Sequence, residues 1–185
     1  MPMQFERWAW GIFFIYFLEM IYLSFLGFLS LAVYLCVMRW RHGTPEMVSS
    51  TYYQGGGIWF TVVMWIVGIS MMICTLGSGI GIQALAFLGC GGLMFVGAAP
   101  KFLDDDERSV HKGGAIVSAV GCVGWCLSAN YVPTLVIASL YLLHLIKTYV
   151  VRVANKNYNG HVWLFAELAG FLDTFITYWS IFLLI

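Results

Sequence analysis

Six long apolar segments alternate with shorter polar connections along the chain. A helix needs about 20 apolar residues to cross the hydrocarbon of a bilayer, and each segment comes close to that length. The segments cover approximately residues 11–38, 58–75, 80–98, 113–127, 132–151 and 162–185. The pattern therefore predicts an all-α fold in which residues 1–185 form a single domain, a polytopic transmembrane bundle of six helices.

The connections between these segments differ in length and charge. Residues 39–57, 100–112 and 152–161 form long connections. Eight of the nine lysines and arginines lie in or beside them, and only Arg7 lies on the opposite side. Since cytoplasmic loops of membrane proteins are enriched in lysine and arginine, we expect the long connections in the cytoplasm and both termini on the non-cytoplasmic side.

The composition also indicates a lipid environment. Hydrophobic residues make up 61% of the chain and charged residues 10%, whereas soluble domains are about 45–50% apolar and about 25% charged. The net charge of zero argues against nucleic acid as a partner, because nucleic-acid binding depends on a basic surface. We expect membrane lipid around the chain. A protein partner would be a second copy of the chain in a homo-oligomer or another membrane protein.

Small residues on the third and fourth segments are spaced for close helix contact. Gly89 and Gly92 lie on the third segment, and Gly114, Ser118 and Cys122 recur every four residues on the fourth. Apolar side chains gain little from meeting each other in lipid, so close packing depends on small residues. We expect these two helices to touch, and we interpret the five cysteines, which form no CxxC pair, as packing residues.

Two of the long connections carry local signals. The acidic run Asp104–Glu107 is predicted to be a solvated cytoplasmic loop between the third and fourth helices. Thr44, Pro45 and Glu46 have the order of a helix cap, a first helical residue and a first-turn acid. They predict a short interfacial helix over about residues 45–53.

Three acids lie inside the predicted spans, where a charge is expensive and is by default a candidate for function. Glu19 belongs to the first span, and Glu167 and Asp173 belong to the sixth. The six-residue separation between Glu167 and Asp173 places them on different faces of one helix. Asp173 is either a neutral acid that is hydrogen-bonded to a neighbouring helix or part of a proton or cation relay.

His144 on the fifth segment belongs to a polar stripe with Tyr141 and Thr148. The stripe either lines a polar pocket with Asp173 or Glu167, open to the cytoplasm, or supplies hydrogen bonds between helices. Both alternatives place polar groups inside the bundle, where they contact other helices.

All four histidines fall at the cytoplasmic ends of the predicted spans, near the acidic run. Imidazole and carboxylate side chains are ligands of zinc and similar ions. The candidate ligands for a divalent metal are His111, Asp104, Asp105, Asp106 and His161. No HxxxH or HxxE spacing accompanies them, and histidine also suits a membrane interface. A structural interpretation therefore stays open, and the sequence requires no cofactor.

The stretch GAAPKFLDDDERSVHKGGA, residues 97–115, resembles a group of uncharacterised bacterial six-span membrane proteins. In that group an AAP or FP end of the third helix leads through an acidic loop to a VHxxGA start of the fourth. The stretch STYYQGGGIWFTVVMW, residues 50–65, resembles the beginning of their second helix. The group is distantly similar in layout to the DRAM-like six-span proteins.

This resemblance covers approximately residues 21–150. It implies a six-span fold and the importance of Pro100, Asp104–Asp106 and His111, but it implies no established activity. The apolar extension before Ile21 departs from the pattern of the group. We expect a location in the bacterial inner membrane.

Three functions fit these features. The favoured one is a non-catalytic integral membrane protein with an accessory or lipid-associating role, so we assign no catalytic residue. The first alternative is a small transporter or proton-coupled carrier that uses Glu19, Glu167 and Asp173. The second is a metal-dependent membrane hydrolase with His111 and Asp104–Asp106 at the cytoplasmic face.

Overall fold

The computed structural model describes residues 2–156 and 158–183. Within these ranges the chain is all-α, as the sequence predicts, with six α-helices, one short 3₁₀ helix at Ser49–Tyr52 and no strand. The α-helices are α1 Pro2–His42, α2 Gly57–Ser78, α3 Gln83–Ala98, α4 Asp105–Ala129, α5 Tyr131–Ala154 and α6 Val162–Leu183.

Four of these helices are long and apolar enough to cross a membrane: α2, α4, α5 and the Leu18–His42 part of α1. Helix α3 is apolar but has 16 residues, so it is about 24 Å long at about 1.5 Å per residue. Helix α6 has 22 residues and carries Glu167 and Asp173, which lower its mean hydropathy. The chain is a helical integral membrane protein.

The acidic run is not a loop, in contrast to the sequence prediction. Asp105, Asp106 and Glu107 form the first turn of α4, and Asp104 is its N-cap residue. The helix therefore begins at Asp105 rather than near Gly113. Acidic side chains are favourable in the first turn because the unpaired N–H groups there carry partial positive charge. A run of acids has the same composition whether it begins a helix or lies in a loop between two helices. The composition alone therefore does not distinguish the two structures.

The segment after α1 also differs from the prediction. Instead of a short α-helix over residues 45–53, the chain forms a single 3₁₀ turn, Ser49–Tyr52, without a side-chain cap. The hydroxyl of Thr51 lies 2.7 Å from that of Tyr34 on α1, and Val48 and Thr51 are almost fully buried. The segment is folded onto the bundle because α1 supplies a buried polar partner.

The beginning of α3 lies at Gln83 rather than at Ile80. Gly79 ends α2 in the left-handed conformation, with φ of 66°, and Gly81 has φ of 73°. Glycine is the residue that adopts this conformation without a steric penalty. Two such residues so close together keep Ile80 and Ile82 in the connection, although both are apolar.

Helices α3 and α4 touch along the predicted glycine rows, so this prediction is confirmed. A Cβ atom on Gly89 would lie 2.6 Å from the backbone nitrogen of Cys122, and one on Gly121 would lie 2.5 Å from the nitrogen of Gly89. A Cβ on Gly92 would lie 2.6 Å from the nitrogen of Ser118. The two backbones are in direct contact, and glycine is what permits this approach.

The core of the bundle is formed by buried side chains from α1, α2, α3, α4 and α6. Phe60, Met64, Trp125, Phe175 and Tyr178 are fully buried there. Helix α5 lies at the periphery, since only 11% of its most apolar stretch is buried. Most of its valine and leucine side chains are exposed, as is normal for the lipid-facing surface of a membrane protein.

Candidate functional site

Asp173 lies in the middle of α6 and is held by two threonine hydroxyls. Thr134 on α5 donates to Asp173 Oδ1 at 3.0 Å, and Thr177, one turn further along α6, donates to the same oxygen at 3.3 Å. The exposed fractions of Asp173, Thr134 and Thr177 are 3%, 7% and 0%. The three side chains form a closed polar cluster, called here the Asp173 cluster.

The two threonines of this cluster depart from the usual behaviour of hydroxyls in this bundle. A serine or threonine in a helix can donate to a carbonyl three or four residues earlier in its own helix. Among the described residues, nine hydroxyls of the α-helices do so: those of Ser24, Ser30, Ser70, Thr75, Ser78, Ser128, Ser139, Thr174 and Ser180. Thr134 and Thr177 instead donate to the carboxyl group, which concentrates polar oxygens at one point of the interior.

Asp173 has no basic partner within the part of the chain whose side chains are described. Among the residues whose side chains the structure describes, 18–156 and 158–181, no lysine, arginine or histidine forms an ion pair with it. Its titratable neighbours are the thiols of Cys122 and Cys126 on α4. An ionised carboxylate buried without a cation is costly. The described side chains supply no cation, so Asp173 requires either a proton or a positive ion that is not part of them.

Glu167 lies on a different face of α6, as its six-residue separation from Asp173 predicts. Its carboxylate accepts the backbone N–H of Val48, and the Ser49 hydroxyl donates to it at 3.4 Å. Both donors belong to the start of the 3₁₀ turn, which lacks a side-chain cap of its own. Glu167 therefore acts as a cap supplied from another helix.

His111, the candidate metal ligand on α4, is buried and bound to the chain itself. Its Nδ1 lies 2.8 Å from the carbonyl oxygen of Ala99 at the end of α3. Its ring lies 5.0 Å from that of Phe102, which in turn contacts Tyr53 at 5.2 Å. The tautomer with a proton on Nδ1 fits the contact with the carbonyl. His111 joins the two ends of the α3–α4 connection.

The acidic run at the start of α4 holds the same connection in place. Asp105 forms a salt bridge of 2.7 Å with Arg108, and the guanidinium of Arg108 donates to the carbonyl of Leu103 at 2.8 Å. Glu107 accepts the backbone N–H of Lys101 at 2.8 Å. Exposed ion pairs contribute little stability, so these contacts shape the turn rather than drive folding. The three candidate metal ligands of the run are all exposed: Asp104, Asp105 and Asp106.

His144 and its neighbours join α5 to the start of α6. The His144 ring nitrogen Nε2 lies 2.9 Å from the carbonyl of Gly160, and Tyr141 donates to the carbonyl of Val162 at 3.3 Å. Thr148 packs so closely against Gly160 that a Cβ there would overlap the threonine side chain. The polar stripe therefore supplies hydrogen bonds between α5 and the start of α6, which is the second of the two predicted alternatives.

The two remaining predicted site residues are Glu19 and His161. Glu19 is exposed on the surface of α1, and His161 precedes α6 with a positive φ of 48°. Its Nδ1 is a buried atom for which residues 2–156 and 158–183 offer no hydrogen-bond partner. In the part of the chain with described side chains, no three His, Cys, Asp or Glu residues converge as a metal site.

Sequence reasoning missed both threonines of the Asp173 cluster. Thr177 follows Asp173 by four residues, the spacing at which helical side chains meet, so this neighbour had a recognisable signal. Thr134 lies near the start of another helix, and nothing in the sequence links it to position 173. No protein-family model, curated protein or solved structure matches the chain.

Proposed function

We propose that the chain is a non-catalytic six-span integral membrane protein with a lipid-associating or accessory role. The proposal depends on one observation: three of the predicted polar side chains are engaged with the chain's own backbone. Glu167 binds the 3₁₀ turn, His111 binds the carbonyl of Ala99 and His144 binds the carbonyl of Gly160. Groups that serve catalysis must instead reach a substrate or a reacting atom.

The six-span topology is part of this proposal. Helices α3 and α6 would cross the membrane beside the four long apolar helices, and both termini would lie on the non-cytoplasmic side. Helix α3 would do so although it is short, because its glycines place it directly against α4. The arrangement keeps the three lysine- and arginine-bearing connections in the cytoplasm, in keeping with the positive-inside rule. The proposed location is the bacterial inner membrane.

The topology can be tested with single cysteines introduced at exposed positions. Glu46 and Lys156 represent two proposed cytoplasmic connections, and Tyr131 represents a proposed external turn. A membrane-impermeant maleimide added to intact cells should label Tyr131→Cys, and it should label Glu46→Cys and Lys156→Cys only after permeabilisation. The unmodified protein measures the background from native cysteines. Labelling of Glu46→Cys and Lys156→Cys from opposite sides would exclude the topology.

The non-catalytic role can be tested against the hydrolase alternative. Purified protein should contain no stoichiometric zinc or manganese, and it should not hydrolyse ester, amide or phosphoester probes when either metal is added. His111→Ala removes the histidine of the α3–α4 connection and should leave any background hydrolysis unchanged. Metal-dependent hydrolysis that His111→Ala abolishes, while the variant stays folded, would overturn the proposal.

A further inference from the structure

Asp173 requires a positive charge or a proton at a depth where the protein supplies neither from its own described side chains. It lies 11 residues from the first residue of α6 and 10 from the last, or about 16 Å and 15 Å at about 1.5 Å per residue. The cluster is therefore close to the middle of the helix. A carboxyl group at such a depth is a candidate for proton or ion binding.

The oxygens of the cluster have the chemistry and spacing of ligands for a hard cation. Oxygen ligands lie about 2.4 Å from a cation of the size of Ca²⁺, which Na⁺ resembles in size, so two ligands at right angles are about 3.4 Å apart. Thr134 Oγ1 and Thr177 Oγ1 lie 3.0 Å and 3.3 Å from Asp173 Oδ1. A small rotation of each hydroxyl would turn its lone pairs towards a cation beside the carboxylate.

The charge of the cluster selects the valence of the ion. Asp173 is its single acid, and the nearest titratable groups on α4, the thiols of Cys122 and Cys126, are neutral in their ordinary form. One positive charge neutralises this set, whereas a divalent ion would leave an unpaired charge in the interior. We infer that Asp173, Thr134 and Thr177 form a binding site for a small monovalent cation, Na⁺ or Li⁺, for which a proton competes.

The ligands are divided between two helices. Thr134 lies on α5, which is the peripheral helix, and the other two ligands lie on α6. The site therefore depends on the contact between α5 and α6 and is independent of the α3–α4 contact. This inference goes beyond the proposed function, since a bound cation can stabilise a non-catalytic protein as readily as a carrier.

Thermal unfolding of the purified protein tests the site. The melting temperature, followed by far-UV circular dichroism, is measured in sodium, lithium, potassium and choline chloride at equal ionic strength, over a range of pH. At alkaline pH, sodium at about 100 times its dissociation constant should raise the melting temperature by about 5 °C or more over choline. The increase should vanish at acidic pH, where the proton occupies Asp173.

Three variants assign the effect to the cluster. Asp173→Asn keeps an oxygen that accepts the threonine hydroxyls but removes the charge, so the sodium effect should vanish. Thr134→Val and Thr177→Val should each reduce it. The matched control is Glu167→Gln, which alters the other acid of α6 and should keep the full sodium effect, whatever its own stability.

Direct binding provides an independent measurement on the unaltered protein. Radioactive sodium should bind with a stoichiometry of one per chain and should be displaced by unlabelled lithium and by acid. Equal melting temperatures in sodium, lithium and choline at every pH, without sodium binding, would overturn the inference and leave Asp173 a permanently protonated acid. A sodium effect that persists in Asp173→Asn would overturn it as well.

Discussion

Two regions of the bundle are held together by different means. Helices α3 and α4 meet backbone to backbone through Gly89, Gly92 and Gly121, without any need for polar side chains. Helix α6 contributes apolar side chains to the core and is also joined to its neighbours through polar side chains, among them Glu167 and Asp173. In lipid, where apolar contact alone gains little, these are the two available solutions.

The difference between the two regions is one of adaptability. A glycine contact has one geometry, because any displacement separates or overlaps the backbones. A hydroxyl can rotate and exchange one partner for another, and the contacts of α6 with α5 are of this kind, as in the pair Thr134 and Asp173. The α3–α4 contact therefore leaves little freedom of movement, and the α5–α6 pair is the part in which we propose that a cation binds.

The largest effect is expected from filling the glycine contact. Gly121→Leu would place a side chain within 2.5–2.8 Å of the backbone of Gly89 and Leu85, and no flexible atom is available to move. We expect a loss of about 3 kcal/mol in the free energy of unfolding, measured by titration with SDS in mixed micelles. The control is Gly113→Ala on the same helix, where nothing lies within 4 Å. Equal stability of the two variants would show that the helices are not in contact.

A smaller loss is expected at the strongest polar contact of α6. Glu167→Ala leaves the buried N–H of Val48 and the hydroxyl of Ser49 without their acceptor. An unsatisfied buried donor costs about 2 kcal/mol, which the same SDS titration detects. Glu167→Gln retains an accepting oxygen and should lose distinctly less. If Ala and Gln lose equally, the hydrogen bond to the 3₁₀ turn is not what stabilises this contact.

The contact at the start of α6 is partly exposed, so its loss should cost less again. His144→Phe keeps a ring whose centroid lies 4.2 Å from that of Phe165 but removes the nitrogen that binds the carbonyl of Gly160. We expect a loss of about 1 kcal/mol and faster hydrogen exchange of the amides just after Gly160, measured by mass spectrometry. Unchanged exchange there would contradict the proposed connection between α5 and α6.

The sequence predicted the contact between α3 and α4 far better than the adaptable contacts of α6 with α5. Rows of small residues at helical spacing on two successive apolar segments are typical of closely packed membrane helices, so the contact of Gly89 and Gly92 with α4 was predictable. The start of α4 at Asp105 was not predicted, because acids favour both a solvated loop and a first helical turn. The apolar segment begins only after the charged residues, whereas the hydrogen-bonded helix includes Asp105, Asp106 and Glu107.

The candidate sites show the same limit. Glu167 and Asp173 could be singled out from the sequence, since acids in apolar segments are rare, and their placement on different faces was predictable. Their partners, Val48 and Thr134, come from distant parts of the chain and carry no signal of their own. The proposed convergence of His111 with His161 had no support in spacing. Partners across helices are fixed by packing, which a single sequence does not encode in any local pattern.

The smallest effect, and the sharpest distinction within the adaptable region, is expected at Thr134. Thr134→Val removes one of the two hydroxyls on Asp173 and preserves the volume, so the loss should be about 0.6 kcal/mol, the average for a hydrogen bond between membrane helices. Thr134→Ser restores the hydroxyl and should recover most of it. An equal loss in Ser, which keeps the hydroxyl, would show that loss of this hydrogen bond does not by itself account for the effect and that side-chain packing contributes. A loss in Val as large as that of Glu167→Ala would mean that Asp173 stays charged and depends on this hydroxyl, because hydrogen bonds to charged groups are the stronger kind.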